Sequence, residues 1–196
     1  MSLEEIRLEH VPDTHRVYVG LFRAVSNAGY LQSQLVARNS DFEYAFIDAS
    51  SVLSRLQLLA AVYKALTVLL DGTLKTPNVH SEIVCSLSPS NNISEAYRRW
   101  GITDTTKDVV IVKVLFPTES RPQPPSASEV FSHLTEAVKG TPAPLTDAEL
   151  AECTDWPKVR KYYKLNGAPT LDGKDDAAKT REMGLLALGG MALRGL

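Results

Sequence analysis

The sequence is poor in cysteine, in long apolar runs and in excess charge of either sign. Its two cysteines, Cys85 and Cys153, lie far apart and match no metal-ligand spacing, which favours a reducing cytosolic or nuclear compartment. No stretch approaches the roughly 20 apolar residues of a membrane span, and the acidic start MSLEEIRLEH is not typical of a signal peptide. Because the net charge is -2, any nucleic-acid contact requires a local basic patch.

Motifs of common catalytic and metal sites are also lacking. The chain has no GxxxxGKS/T or GxGxxG phosphate loop and no HExxH, CxxC or EF-hand pattern. Its four histidines lie in no catalytic motif. We therefore predict no catalytic residue, metal or cofactor. One alternative stays open, a small enzyme whose site assembles from scattered residues such as Asp48, His80 and Cys85.

The sequence does contain an alternation of strand-like and helix-like segments over its 196 residues. Strands are predicted at 16–22, 43–50, 80–88 and 108–116. Helices are predicted at 27–39, 51–70, 93–100, 128–139, from Thr146 onward, at 156–165 and at 175–194. This order predicts one α/β or α+β domain over residues 1–196, with a central mixed sheet of four to five strands surrounded by helices. An N-terminal arm (1–14) and a Pro-rich surface loop (117–127) complete it.

The segment SLSPSNNISEAYRRWGI (86–102) packs a strand end, a polar loop and a capped helix into a few residues. Asn92 is the predicted cap, with Glu95 reaching back to complete a capping box. The apolar residues of this helix share one stripe: Ile93, Ala96, Tyr97 and Trp100. The stripe either faces the sheet or presents Trp100 as an anchor for another protein. The free N–H groups of the first turn offer a third role, contact with a phosphate.

Two groups of basic residues suit phosphates and unstacked bases. Arg98 and Arg99 lie on the polar side of the helix at 93–100. The second group mixes cations with aromatic residues: Lys158, Arg160, Lys161 and Lys164 with Tyr162 and Tyr163. The alternative to binding is a solvated helix face with core tyrosines. A stand-alone RNA-binding module is thus a further interpretation.

The segment SEIVCSLSPSNNISEAYRRWGI (81–102) resembles the PRPK-binding protein (TPRKB) family, the kinase-binding subunit of the KEOPS/EKC complex. The shared pattern is a strand, then L-S-P-x-x-N-I-x-x-A, then a hydrophobic or aromatic residue and G-I. Four further pieces resemble the family in the same order: YAFIDAS (44–50), AVYKAL (61–66), RKYYKL (160–165) and ALRGL (192–196). The last is similar to the ending of fungal members.

The resemblance implies a non-catalytic protein that docks on the small lobe of a PRPK-like atypical kinase/ATPase. That kinase belongs to a complex with a Kae-type threonylcarbamoyl transferase and a Pcc-type subunit. The complex makes N6-threonylcarbamoyladenosine in tRNAs that read A-starting codons. Archaeal relatives also hold the 3′ CCA tail of the tRNA, and fungal members are linked to telomere maintenance and transcription. The resemblance implies a location in nucleus and cytoplasm, including telomeric chromatin. It implies no membrane partner.

The resemblance also carries over site residues. The kinase-docking prediction falls on Ile93, Tyr97, Trp100, Gly101 and Ile102. The RNA-contact prediction falls on Ser88, Asn91, Asn92, Arg98, Arg99 and Lys64. Within the turn at 88–92, this chain has Ser and Asn where the archaeal pattern has basic or glutamine residues.

Overall fold

The computed structural model describes residues 3–119 and 121–194, which form a five-stranded sheet and eight α-helices. The strands are β1 (Glu4–Ile6), β2 (Arg16–Arg23), β3 (Ala45–Asp48), β4 (Val109–Leu115) and β5 (Thr141–Ala143). The helices are α1 (Ala28–Val36), α2 (Arg55–Leu70), α3 (Val79–Ser86), α4 (Ile93–Trp100), α5 (Ala127–Ala137), α6 (Asp147–Cys153), α7 (Trp156–Tyr162) and α8 (Asp176–Ala192). Among the described residues, no helix is both long and apolar enough to cross a membrane.

The sheet has the strand order β1-β2-β4-β3, and β5 pairs with the last residues of β2. The predicted fold class, with helices around a sheet of four to five strands, is confirmed. Every pairing between strands of the described chain is antiparallel. The α+β form of the prediction therefore applies, and the parallel pairs that a mixed sheet would add are not found in residues 3–119 and 121–194.

One predicted strand, 80–88, is a helix. The Asn78 side chain accepts a hydrogen bond from the Ser81 N–H at 2.9 Å and so caps the first turn of α3. Seven of the eight α3 residues are buried. A helix that is covered on all sides has no polar face, so its residues show no helical period and resemble a short buried strand.

The start of α2 also differs from the prediction. Residues Ala49–Ser51 form a 3₁₀ turn after the Asp48 side chain accepts from the Ser50 N–H. The cap of α2 is Ser54, whose hydroxyl accepts from the Gln57 N–H, and not Ser50 or Ser51. The end of α2 agrees with the sequence, because Gly72 follows it with φ +66°.

Two edge strands were not predicted. β1 lies within the predicted N-terminal arm and pairs with β2, with Ile6 opposite Val17. β5 contains Pro142, which has no N–H to donate. Both strands are three residues long, so neither shows the alternation that identifies a strand.

Helices cover both faces of the sheet and create two cores. On one face, Val19, Ile47 and Val112 pack against α2, α3, α7 and α8. On the other face, Phe22 and Ile111 pack against α1 and α5. The near-continuous apolar run of β4 follows from this arrangement, since all seven β4 residues are buried.

Candidate functional site

The predicted helix α4 begins at a capped turn. The Asn92 side-chain oxygen accepts from the Glu95 N–H at 3.0 Å, as the sequence predicts. The Glu95 carboxylate points along the helix toward its C-terminal end and not back to Asn92. It lies 2.5 Å from the Arg99 guanidinium and 3.9 Å from that of Arg98. α4 is therefore held by a one-sided cap and by ion pairs at i,i+4 and i,i+3.

The polar turn before α4 is held by its own serines. The Ser88 hydroxyl accepts from the Ser90 N–H at 3.0 Å, and the Ser90 hydroxyl accepts from the Asn92 N–H at 3.2 Å. Such local bonds satisfy the backbone of a turn without regular structure. Ser88 is also buried, and its contact with RNA stays a prediction.

Trp100 is a core residue. Its side chain is 0% exposed, and its ring centroid lies 5.4 Å from that of Tyr162 and 5.6 Å from that of Tyr163. Gly101 is buried next to it, and Ile102 is buried in the core on the opposite face of the sheet. The core covers these three residues in the folded chain, and their contact with a kinase stays a prediction.

The apolar stripe of α4 is divided between core and surface. Ala96 and Trp100 point into the core, whereas Ile93 is 36% and Tyr97 37% exposed. Burial of the rest of its ring raises the pKa of Tyr97. These two residues are the part of the predicted docking set that a partner can contact.

Tyr163 joins three elements beneath this surface. Its hydroxyl accepts from the Gln57 Nε2 of α2 at 2.6 Å and donates to the Leu87 carbonyl at the end of α3 at 2.5 Å. Gln57 Oε1 in turn accepts from the Leu53 N–H. Burial raises the pKa of Tyr163. The sequence analysis did not identify Gln57, although core tyrosines were one of the two alternatives for the segment RKYYKL.

The end of α8 closes over the same turn. Lys64 Nζ donates to the Met191 carbonyl at 2.8 Å and to that of Arg194 at 3.4 Å. Arg194 donates to the Asn91 side-chain oxygen at 3.2 Å and also to the Cys85 carbonyl. A lysine at a helix C-terminus satisfies carbonyls that the helix leaves free. The Lys64 ammonium therefore already has partners within the chain, and its contact with RNA stays a prediction.

The two arginines of α4 have different roles. Arg98 is exposed, with 74% of its side chain accessible. Arg99 lies over the Tyr162 ring at 5.0 Å, donates to the Tyr162 carbonyl and pairs with Glu95. Of the six predicted RNA-contact residues, three stay on the surface: Asn91, Asn92 and Arg98.

The comparison with known families assigns the chain. A family model described as kinase binding protein CGI-121 matches residues 22–195. The chain belongs to the CGI-121 family. The resemblance drawn from the sequence is thereby confirmed. Its motif ALRGL ends at residues 195 and 196, which lie outside the described residues.

Curated relatives match over most or all of the chain. A protein of Gibberella zeae, named EKC/KEOPS complex subunit CGI121, is 55% identical over 197 residues and is covered completely, as is this chain. A Neurospora crassa protein of the same name is 51% identical over 207 residues, again with complete coverage of both. A relative from Schizosaccharomyces pombe is 34% identical over 155 residues, which are 79% of this chain and 84% of the relative.

Two residues of the enzyme alternative, Asp48 and His80, have structural partners, and the third, Cys85, is buried. Asp48 pairs with Lys158 at 2.7 Å. Buried His80 accepts from the Val114 N–H through Nε2, and burial followed by the Lys113 charge lowers the pKa of its imidazole well below 6.5. Burial raises the pKa of the Cys85 thiol to about 11, which makes it a poor nucleophile. Within residues 3–119 and 121–194, no group of three His, Cys, Asp or Glu side chains is placed to hold a metal ion.

Proposed function

We propose that this chain is the kinase-binding subunit of an EKC/KEOPS complex and has no catalytic residue of its own. The observation that carries the proposal is its match to the CGI-121 kinase-binding family over residues 22–195. Full-length relatives named EKC/KEOPS complex subunits support the complex. The partner is a PRPK-like atypical kinase, through which the chain meets the Kae-type transferase and the Pcc-type subunit.

The proposed role is support of N6-threonylcarbamoyladenosine formation in tRNAs that read A-starting codons. The exposed residues Asn91, Asn92 and Arg98 are the proposed contacts to the tRNA 3′ end. Asn91 and Asn92 offer amide groups before the first turn of α4, and Arg98 offers a positive charge in its last turn. The proposal extends to action in nucleus and cytoplasm and to a telomere-linked and transcriptional role.

The proposed kinase contact is a docking face made of Ile93, Tyr97 and Leu193. Leu193 at the end of α8 is 65% exposed. The hydrogen bond between Arg194 and Asn91 joins this end of α8 to the turn before α4. Partly exposed apolar side chains on elements held in place by such bonds suit a protein partner. The buried Trp100 then supports the docking face from below.

Copurification with the organism's own PRPK-like kinase tests this proposal. The parent protein should elute with the kinase from size exclusion as a stoichiometric complex. Tyr97→Glu should weaken the complex by about tenfold or more, because it places a charge in an apolar contact. Tyr30→Glu is the matched control, since Tyr30 is an exposed tyrosine of α1 on the other face of the sheet.

Two results would contradict the proposal at different levels. If both folded proteins elute separately, the chain is not a subunit that binds this kinase. If the complex forms and Tyr97→Glu binds as well as Tyr30→Glu, the kinase contact lies elsewhere on the molecule.

A further inference from the structure

A groove of about 630 Å³ lies between α7 and the first half of α8. Its apolar lining comes from Trp156 and Pro157 on one side and Met183 on the other. Three cations also line it: Arg160, Lys161 and Lys179. This α7–α8 groove is distinct from the docking face, because 14 residues of helix separate Lys179 from Leu193, a rise of about 20 Å.

The basic residues of α7 fall into two groups, which the sequence alone did not distinguish. Lys158 is neutralised, since its Nζ lies 2.7 Å from both Asp48 Oδ2 and Ser50 Oγ. Arg160 and Lys161 face the groove and make no ion pair or side-chain hydrogen bond with any part of the chain that the structure describes. Tyr162 lies with the neutralised group, under Lys158 and Arg99.

Arg160 has a donor that lacks a partner. Its Nε is buried and makes no hydrogen bond within the described residues. Buried polar groups in proteins nearly always have a hydrogen-bond partner, because an unsatisfied buried donor is costly. The Arg160 side chain also lines the groove, and a planar guanidinium binds a carboxylate through two parallel hydrogen bonds.

The net charge of the residues that line the groove is opposite in sign to the net charge of the whole chain. Three cations and one lining carboxylate, Asp176, sum to +2, whereas the whole chain carries -2. Lys179 stays largely available, because its contact with Asp176 is 3.9 Å long and the Asp176 carboxylate is fully exposed. An anionic ligand is therefore attracted to this groove more than to the rest of the surface.

We propose that the α7–α8 groove binds a short acidic peptide segment of another protein. Its carboxylates pair with Arg160, Lys161 and Lys179, and an apolar side chain contacts Trp156 and Met183. Trp156 is the single aromatic side chain of the groove lining and offers little stacking to RNA bases, which favours a peptide over RNA.

The test uses the full chain and two labelled hexapeptides, DDLFEE and its uncharged counterpart NNLFQQ. Fluorescence anisotropy should show DDLFEE binding at least about tenfold tighter, with affinity falling as salt rises. Arg160→Ala should weaken DDLFEE binding by about tenfold, and so should Lys179→Ala on the opposite wall. Arg181→Ala is the matched control, because Arg181 is an exposed cation of α8 outside the groove.

The two tryptophans provide an independent readout. In an NMR titration with DDLFEE, the indole N–H signal of Trp156 should shift and that of buried Trp100 should not. Equal binding of the two hexapeptides would overturn the proposal, and so would the absence of any Trp156 shift. If hexauridylate shifts Trp156 and DDLFEE does not, the groove binds nucleic acid and the peptide proposal is wrong.

Discussion

At the scale of single residues, two aromatic side chains of one helix differ in whether they are buried or exposed. Trp100 and Tyr97 belong to one apolar stripe of α4, yet the first is fully buried and the second more than a third exposed. The aromatic partners of Trp100 are Tyr162 and Tyr163, some 60 residues further along the chain. Their position decides that Trp100 belongs to the core.

Truncation of Trp100 should destabilise the protein strongly. Trp100→Ala removes a fully buried indole, so we expect a loss of about 3–5 kcal/mol in the free energy of unfolding. Urea denaturation followed by circular dichroism measures this loss. Ile93→Ala on the same helix is the control and should cost less than about 1 kcal/mol. Similar unfolding midpoints for Trp100→Ala and the parent would show that Trp100 is not in the core.

At the scale of elements, two neighbouring helices show what a sequence pattern can identify. α4 has a cap, a polar side and an apolar stripe, and its predicted bounds agree with the structure. α3 has a cap at Asn78 but is buried almost all round, and it was predicted as a strand. The hydrophobic period is informative only where solvent covers one side of an element. This limit explains why the surface helix was found and the central one missed.

The cap of α4 should contribute measurably to stability. Asn92→Ala removes the acceptor for the Glu95 N–H and should lower the free energy of unfolding by about 1 kcal/mol. Asn92→Asp keeps an acceptor and should lose much less. The neighbouring Asn91→Ala is the control, because the Asn91 side chain accepts from Arg194 and caps no helix. An equal or larger loss for Asn91→Ala in urea denaturation would contradict the assigned cap.

At the scale of the whole molecule, buried polar contacts join the helices to the sheet. The imidazole of His80 in α3 accepts from the Val114 N–H of β4, which requires a neutral ring in the folded state. Burial is the main cause of its lowered pKa. The unfolded chain has no such restraint and takes up a proton near the ordinary pKa of 6.5. Acid should therefore favour unfolding of the entire domain.

This linkage predicts a defined pH dependence. Below pH 6.5 the unfolded state binds a proton at His80 and the folded state does not, so stability falls as pH falls. The slope from this group approaches about 1.4 kcal/mol per pH unit below the unfolded pKa and vanishes above it. Urea denaturation of the parent and His80→Gln between pH 7.5 and 5 measures it.

The variant should show a shallower decline with acid than the parent, whatever its stability at neutral pH. His10→Gln is the control, because His10 is exposed and should leave the slope unchanged. Parallel pH profiles for the parent and His80→Gln would show that His80 titrates alike in the folded and unfolded chain.

The sequence by itself determined the fold class, the ends of most elements and the family, because caps, strand runs and the motif at 81–102 are local patterns. Only the tertiary structure decided which candidate site residues a partner can reach. The Lys64 ammonium donates to the carbonyls of Met191 and Arg194, which are 127 and 130 positions further along the chain. The Trp100 ring is covered by Tyr162 of α7. A helical period shows which residues share a side of a helix. Contacts between distant segments determine which side is covered and which charges are already paired.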